Sequence, residues 1–413
     1  MPRTIARWSF AGNSIYPDAG VLHLGDVKFG LVPLPRHILE PSFNQSIEAF
    51  QGHPYWAHEF VGAGPFTLDR WELGSHLEAV AFDQHVLGRP KIDRIRVLFV
   101  SDFNTSFAGL LAGTTDVALD SITFAHMLQL KQEWAGTNRG TAGVTVASLT
   151  ASYIQHRPEY ASPRAILDLR VHKALAHGID KETFADTIWA GELKVLDSIF
   201  EPKADYYPVI ERATTKYPYD PRISERLMTE AGYARGPDGF FTSPTEGKMT
   251  FQIQTPVTRR EMPVLAANWR QAGFDIQELP LSGVEERDPQ VRGSYPALYI
   301  QASGLTEVQQ MARYHGSEVS TPETRWRGEN VTGWRNPAYD RLVDAFVVTL
   351  DPNERIQQRA QIARIMSEDL PAIMLTENPN PHAFLSGVKN VPAAVPYRTT
   401  GRITWNIERW ELQ

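Results

Sequence analysis

The chain has 413 residues, 42% of them hydrophobic, with 41 Lys+Arg against 48 Asp+Glu and no cysteine. That length fits two or three domains with a core large enough to fold unaided. A net charge of -7 argues against a broad basic surface for nucleic acid or anionic membrane, and zero Cys excludes disulfides, thiolate metal sites and Cys nucleophiles.

Residues 1–80 are rich in Pro, Gly and aromatics and read as short strands and loops. Residues 1–10 lack the apolar run of a signal-peptide core, and nowhere do 18 apolar residues follow one another as a spanning helix requires. Val61-Gly-Ala-Gly-Pro-Phe-Thr-Leu-Asp-Arg-Trp71 reads as a turn feeding an alternating strand, and Arg94–Val100 as a second strand. Asp102 or Asn104 then caps a helix through Leu111, Gly113 ends it, and a strand starts at Asp116, together a βαβ pattern. His156-Arg-Pro-Glu-Tyr-Ala-Ser-Pro163 reads as a polar interdomain linker.

The middle of the chain is more helical. Asp168, Asp180, Asp220-Pro221 and Asn336-Pro337 are N-cap signals, with Gly178, Gly191 and Gly232 as stops. Asp351 with Glu354 has the spacing of a capping box. Strands are expected at Met249–Gln254, Phe274–Leu279, Leu298–Gln301 and Ala372–Leu375, between helices, which makes the class α/β. Asn378-Pro-Asn-Pro381 suggests a second boundary, after which the chain returns to the first domain.

Catalytic motifs do not emerge. Gly62-Ala-Gly64 lacks the third glycine of a dinucleotide fingerprint and precedes a strand. Neither a phosphate loop nor a Gly-x-Ser-x-Gly elbow occurs. His53/His58 and His172/His177 are five apart, which puts the rings on different helix faces and favours structural over metal-binding roles. Glu285-Glu286 and Glu368-Asp369 read as solvated helix ends. What remains is an aromatic, Gly-punctuated stretch: Tyr314-His315, Arg325-Trp326-Arg327-Gly-Glu329 and Gly333-Trp334. Trp and Arg there suit a ligand wall, but equally a loop pinned by buried tryptophans. Tyr153 and Gln155 stand just before the first linker, at the edge of an interdomain cleft or simply at a packed strand end.

Several motifs follow one another in the order of a known family. They are Val61–Leu68, Asp102–Thr105 with Leu110–Ala118, Asp168–Lys181, Tyr219–Tyr233, Asn336–Leu342, Glu368–Leu375 and Trp405–Trp410. In this the chain resembles the extracellular solute-binding proteins of family 5, receptors of ABC importers for oligopeptides, dipeptides and nickel. The resemblance implies an α/β, two-lobe Venus-flytrap receptor of periplasmic-binding-protein type II. Lobe one would be residues 1–160, lobe two 161–378, and 379–413 a return to lobe one. It further implies a receptor rather than an enzyme, with neither cofactor nor metal. Its partners would be a small solute or short peptide and ABC permease subunits, without nucleic acid. The ligand cleft would be lined by Tyr153, Gln155, Tyr314, His315, Trp326 and Trp334.

Two departures from the family pattern qualify this. The chain starts inside the expected first lobe, so it reads as a receptor lacking its front part and targeting signal. Its parent would be periplasmic or cell-surface, touching the membrane only through the permease or a lipid anchor. The alternative is a truncated receptor reused as a cytoplasmic interaction or regulatory domain, and an unpaired lobe-one edge is expected to promote aggregation. The second departure is at Leu298–Glu307, where the peptide-binding members carry an Asp that holds the peptide's amino terminus; here only Glu307 is near. Losing such a charge-assisted bond would cost about 1.5–3 kcal/mol, leaving room for another solute.

Overall fold

Short acidic or amide caps set many of the helix starts. The computed structural model describes residues 34–257, 259–303, 307–392 and 403–413. Helices α1 (Arg36–Gln45) and α2 (Ile47–Gln51) lead into an antiparallel meander of β1 (Phe66–Glu72), β2 (His76–Ala81) and β3 (Arg94–Leu98). Asp102 accepts from the Asn104 amide to start α3 (Phe103–Ala112), and Gly113, at φ 71°, ends it. Strand β4 (Val117–Leu119), α4 (Phe124–Glu133) and the 15-residue β5 (Gly140–Ile154) follow. The expected βαβ unit does not form. Among the described residues β3 pairs only within the meander, whereas β4 pairs with a strand much later in the sequence. Alternation fixes which faces a strand presents and leaves its partner open.

Asp168 caps α5 (Leu169–His177) and Asp180 caps α6 (Lys181–Trp189), which closes on Ala190 at φ 48°, one residue before the expected glycine. After α7 (Tyr207–Ala213), Asp220 accepts from two amides at the start of α8 (Pro221–Glu230). A small meander of β6 (Ala234–Arg235), β7 (Phe241–Ser243) and β8 (Gly247–Lys248) precedes β9 (Thr250–Pro256), α9 (Glu261–Ala272), β10 (Asp275–Leu281), α10 (Pro289–Gly293), β11 (Leu298–Ser303) and α11 (Glu307–Ala312). Asn336 caps α12 (Pro337–Val348), and Asp351 caps α13 (Pro352–Asp369) by accepting from the Glu354 amide at 2.7 Å. The capping box is only half made, because the Glu354 carboxylate faces Gln358 instead. Strand β12 (Ala372–Leu385) runs straight through Asn378–Pro381, the stretch expected to be a boundary loop. Strands β13 (Val388–Lys389) and β14 (Glu411–Leu412) then pair with each other.

The main sheet has the order β10-β9-β11-β5-β12-β4. β10, β9 and β11 are parallel; β5, β12 and β4 join antiparallel to their neighbours. The long strands β5 and β12 form its spine. Their first and last halves, Gly140–Val146 with Pro379–Leu385, lie beside β4, and their other halves, Leu149–Ile154 with Ala372–Glu377, lie beside β11 or its neighbours. Between these halves the ladder skips: Asn378 faces Ser148, but Pro379 faces Val146.

Both faces of the spine are covered. Ile154, Leu298, Ile300 and Leu375 pack into one buried cluster, and Leu149, Ala151, Tyr153, Tyr299 and Met374 into another. A third, smaller cluster brings Ile403 and Trp410 against Ile92 and Val388, so residues 403–412 pack on the β3–β4 part of the molecule. The His156–Pro163 segment is fastened to the other half, where its His156 and Ser162 amides donate to Thr332 and Pro296 carbonyls.

Candidate ligand cleft

The three parallel strands end together near the skipped register, since Ser303 at the end of β11 lies opposite Leu149. In open α/β sheets the carboxyl ends of parallel strands leave backbone and loop groups facing a crevice, the usual place for a ligand. A polar cluster occupies this place. Arg259 donates to Glu261 at 3.1 Å and to Asn378 at 3.4 Å, and Asn378 donates to Ser148 at 2.8 Å. Glu377, buried beside it, accepts from the Lys194 amide at 3.3 Å.

A cavity of about 310 Å³ opens on the neighbouring face of β11. Gln301, opposite Ala151 of β5, forms its floor, with Arg292 from α10, Arg313 following α11, and Trp326, Arg327 and Glu329 from the long loop before α12. Arg313 donates to Tyr153 Oη at 3.1 Å and to Glu329 at 3.3 Å. The Trp326 ring packs on Tyr160 at 5.7 Å and on the Arg157 guanidinium at 5.9 Å. Its backbone is held in the left-handed region, φ 59°, next to Arg325 at φ 52°. Each such non-glycine residue costs about 1–3 kcal/mol, and such strain persists where surrounding contacts impose it, often at binding sites. Gly293 is part of that imposition: a Cβ there would sit 2.6 Å from the Trp326 ring.

Of the six residues expected to line the cleft, Trp326 lines the cavity and Tyr153 reaches it through Arg313. Tyr314 lies behind Tyr153, edge-to-face at 6.0 Å, and burial pushes its hydroxyl well above the ordinary tyrosine value. Gln155 is fully buried, donating to the Tyr295 carbonyl at 2.7 Å and accepting from the Arg157 amide and Nε. Trp334 is buried against Tyr339 and donates to Asp369 at 3.2 Å. His315 faces Ser317, Asp340 and Asp344, away from the cavity lining. Gln155 and Arg157 thus join the rear of the Trp326 wall, and Trp334 and His315 belong to the packing around α12.

Other sequence expectations also change. Asp369 is no solvated helix end, for it accepts from both Trp334 and Asn336. Glu307, the one acid near the expected peptide-anchor position, accepts from Arg359 at 2.6 and 2.8 Å and from Tyr206 at 3.0 Å, and is therefore committed internally. His172 and His177 bond separately to the Ile166 and Pro218 carbonyls, and no cluster able to hold a metal occurs among the described residues. Arg292, Gln301 and Arg313 are not among the cleft residues expected from the sequence. Gln301, a polar residue inside the apolar run Leu298-Tyr-Ile-Gln-Ala, carried the one readable signal.

Comparison with known proteins identifies the fold. The chain is similar to a periplasmic oligopeptide-binding protein of Thermotoga maritima, with TM-score 0.74 and 18% identity over 92% of this chain and 74% of that one. It is also similar to NikZ of Campylobacter jejuni, solved with Ni(L-His), with TM-score 0.72 and 19% identity over 92% and 72%. The shared architecture is the two-lobe α/β fold of the type II periplasmic binding proteins. Among curated proteins it is 26% identical over 244 residues to heme-binding protein A of Haemophilus influenzae, covering 57% of this chain and 40% of that protein. It is 20% identical over 318 residues to the dipeptide-binding protein of Escherichia coli, covering 77% and 56%. The chain therefore spans between 40% and 60% of the curated relatives it first matches. Residues 27–310 match the family described as "Bacterial extracellular solute-binding proteins, family 5 Middle". With more than half its length matched in that way, the chain belongs to the family 5 bacterial extracellular solute-binding proteins.

Proposed function

We propose that this chain captures a small solute or short peptide between two lobes and presents it to the permease of an ABC importer. The observation that carries this reading is a two-strand crossing, with its skipped register at Ser148 and Asn378, reached by the end of β11 at Ser303, the strand whose Gln301 lines a polar cavity. Lobe one is then residues 34–146 with 379–392 and 403–413, lobe two is 149–377, and closure is a rotation about the β5–β12 spine. The relatives point the same way, since they include dipeptide-, glutathione- and heme-binding proteins. The role is that of a receptor and not an enzyme, and a periplasmic or cell-surface location goes with it.

Titration of intrinsic tryptophan fluorescence with peptides and charged metabolites, paired with small-angle scattering, tests this reading. Saturable binding with a fall in radius of gyration is expected. Saturation by none of the solutes, or turnover of a bound solute, would refute it.

A further inference from the structure

The cavity beside β11 carries more positive charge than the protein neutralises. Arg292, Arg313 and Arg327 line it, against the single carboxylate of Glu329. Glu329 contacts Arg313, and among the described residues neither Arg292 nor Arg327 has an ion-pair partner. Nε of Arg292 and Nε of Arg313 are both buried with no acceptor. A fourth guanidinium, Arg157, is buried behind Trp326 and bonds only to neutral oxygens: the Gln155 amide and the Ser320 and Val331 carbonyls. Burial presses its pKa below the usual arginine value, and the nearby Glu159 carboxylate offsets this only in part. Buried cations are normally paired, because desolvation costs several kcal/mol per ion. Three lining arginines against one lining carboxylate, in a chain of net charge -7, leave a local deficit of negative charge.

We infer that this cavity takes a small solute bearing two or more anionic oxygens on one end, held by Arg292, Arg313 and Arg327 with Trp326 as a flat wall. This specifies the ligand class of the receptor function proposed above and rests on it. Guanidinium forks match carboxylate and phosphate geometry equally, so the shared chemistry is a compact polyanionic group. Size agrees, since about 310 Å³ lies at the low end of the roughly 300–1,000 Å³ spanned by small-molecule pockets. An amino-terminal ammonium, by contrast, would face like charge, with Glu307 withdrawn into its pair with Arg359.

The test uses calorimetry on the full chain with succinate, citrate, inorganic phosphate, the neutral analogue succinamide and the cationic peptide trilysine. At least one anion is expected to bind saturably, at least about tenfold tighter than succinamide or trilysine, and less tightly as salt rises. Carboxylates alone binding, or phosphate alone, identifies which source of the anionic group is used. Arg292→Met and Arg327→Met should each weaken the anion about tenfold or more, while Arg222→Gln, an exposed substitution on α8, should not. Thermal melts confirm that the variants are folded. Binding of trilysine or succinamide as tightly as the anions, unaffected by Arg292→Met, overturns the anion assignment and leaves the receptor reading standing. Saturable binding of none of the five, with none found in the wider titration above, overturns both.

Discussion

The Asn378 side-chain amide donates to Ser148 Oγ at 2.8 Å, tying β12 to β5 where their ladder skips a residue. A skipped register removes backbone pairing locally, so this side-chain bond holds the two strands together at the crossing. Asn378→Ala should lower stability by about 0.5–1.5 kcal/mol, the ordinary worth of one such bond. The urea midpoint should fall with the m-value unchanged, and the affinity for any ligand that closes the lobes should change as well. An unchanged midpoint would mean that water replaces the bond at no cost.

The stacked pair His156 and His172, ring centroids 5.0 Å apart, gives the protein an acid sensitivity. Burial pushes the pKa of His156 down to about 3, with smaller contributions from His172 and Arg157, and burial also lowers that of His172. The unfolded chain takes up protons near the ordinary value of about 6.5, before the folded chain can. The stability tied to their neutrality is thus complete above that value and is lost as pH falls from there, for His156 toward about 3. Each group adds at most about 1.4 kcal/mol per pH unit to the slope. Urea titrations at descending pH should show a shallower loss in His156→Phe than in the wild type. Parallel curves would remove the histidine from this account.

Arg359 and Glu307 form a pair of two parallel bonds at 2.6 and 2.8 Å, both side chains largely buried. Arg359→Met leaves a desolvated carboxylate beside Tyr206 and should cost about 3–5 kcal/mol. Glu307→Gln, which keeps an acceptor, should cost less. Denaturant midpoints of the two variants decide the order.

Gly293 leaves room for the Trp326 ring. Gly293→Ala would put a methyl carbon 2.6 Å from the ring and displace it from the cavity wall. We expect a shift in tryptophan emission and weaker ligand binding, with far-ultraviolet circular dichroism unchanged.

Much of the local architecture was legible because its signals are local. Asp102, Asp168, Asp220 and Asn336 each cap the helix that its sequence position announced. Strand β5 was illegible as a 15-residue element for a physical reason. Ala142, Val144 and Val146 pack on one core cluster and Leu149, Ala151 and Tyr153, of opposite parity, enter the other, so the apolar face switches midway and no single alternation runs through the strand. Trp326 was legible as a wall from its Arg- and Gly-rich setting. Arg292 and Arg313 were not, because each is an isolated charge on a helix or its end, and only tertiary packing brings them to Gln301. Tyr314 and Trp334 share the aromatic character of binding residues, yet burial and partner bonds, which sequence does not reveal, set their place.

Strand β12 follows every other strand of the main sheet in the chain, yet it lies between β5 and β4 and, among the described residues, is the sole sheet partner of β4. During synthesis, β4 therefore stays without a ladder until residues 382–384 have left the ribosome, and one edge of β5 stays open for as long. Pairing across such separations is slow, and the waiting edges are exposed to other chains. Completion of this sheet thus waits on the last of its strands to be made, and the interval before β12 emerges is the time when a chaperone would matter most.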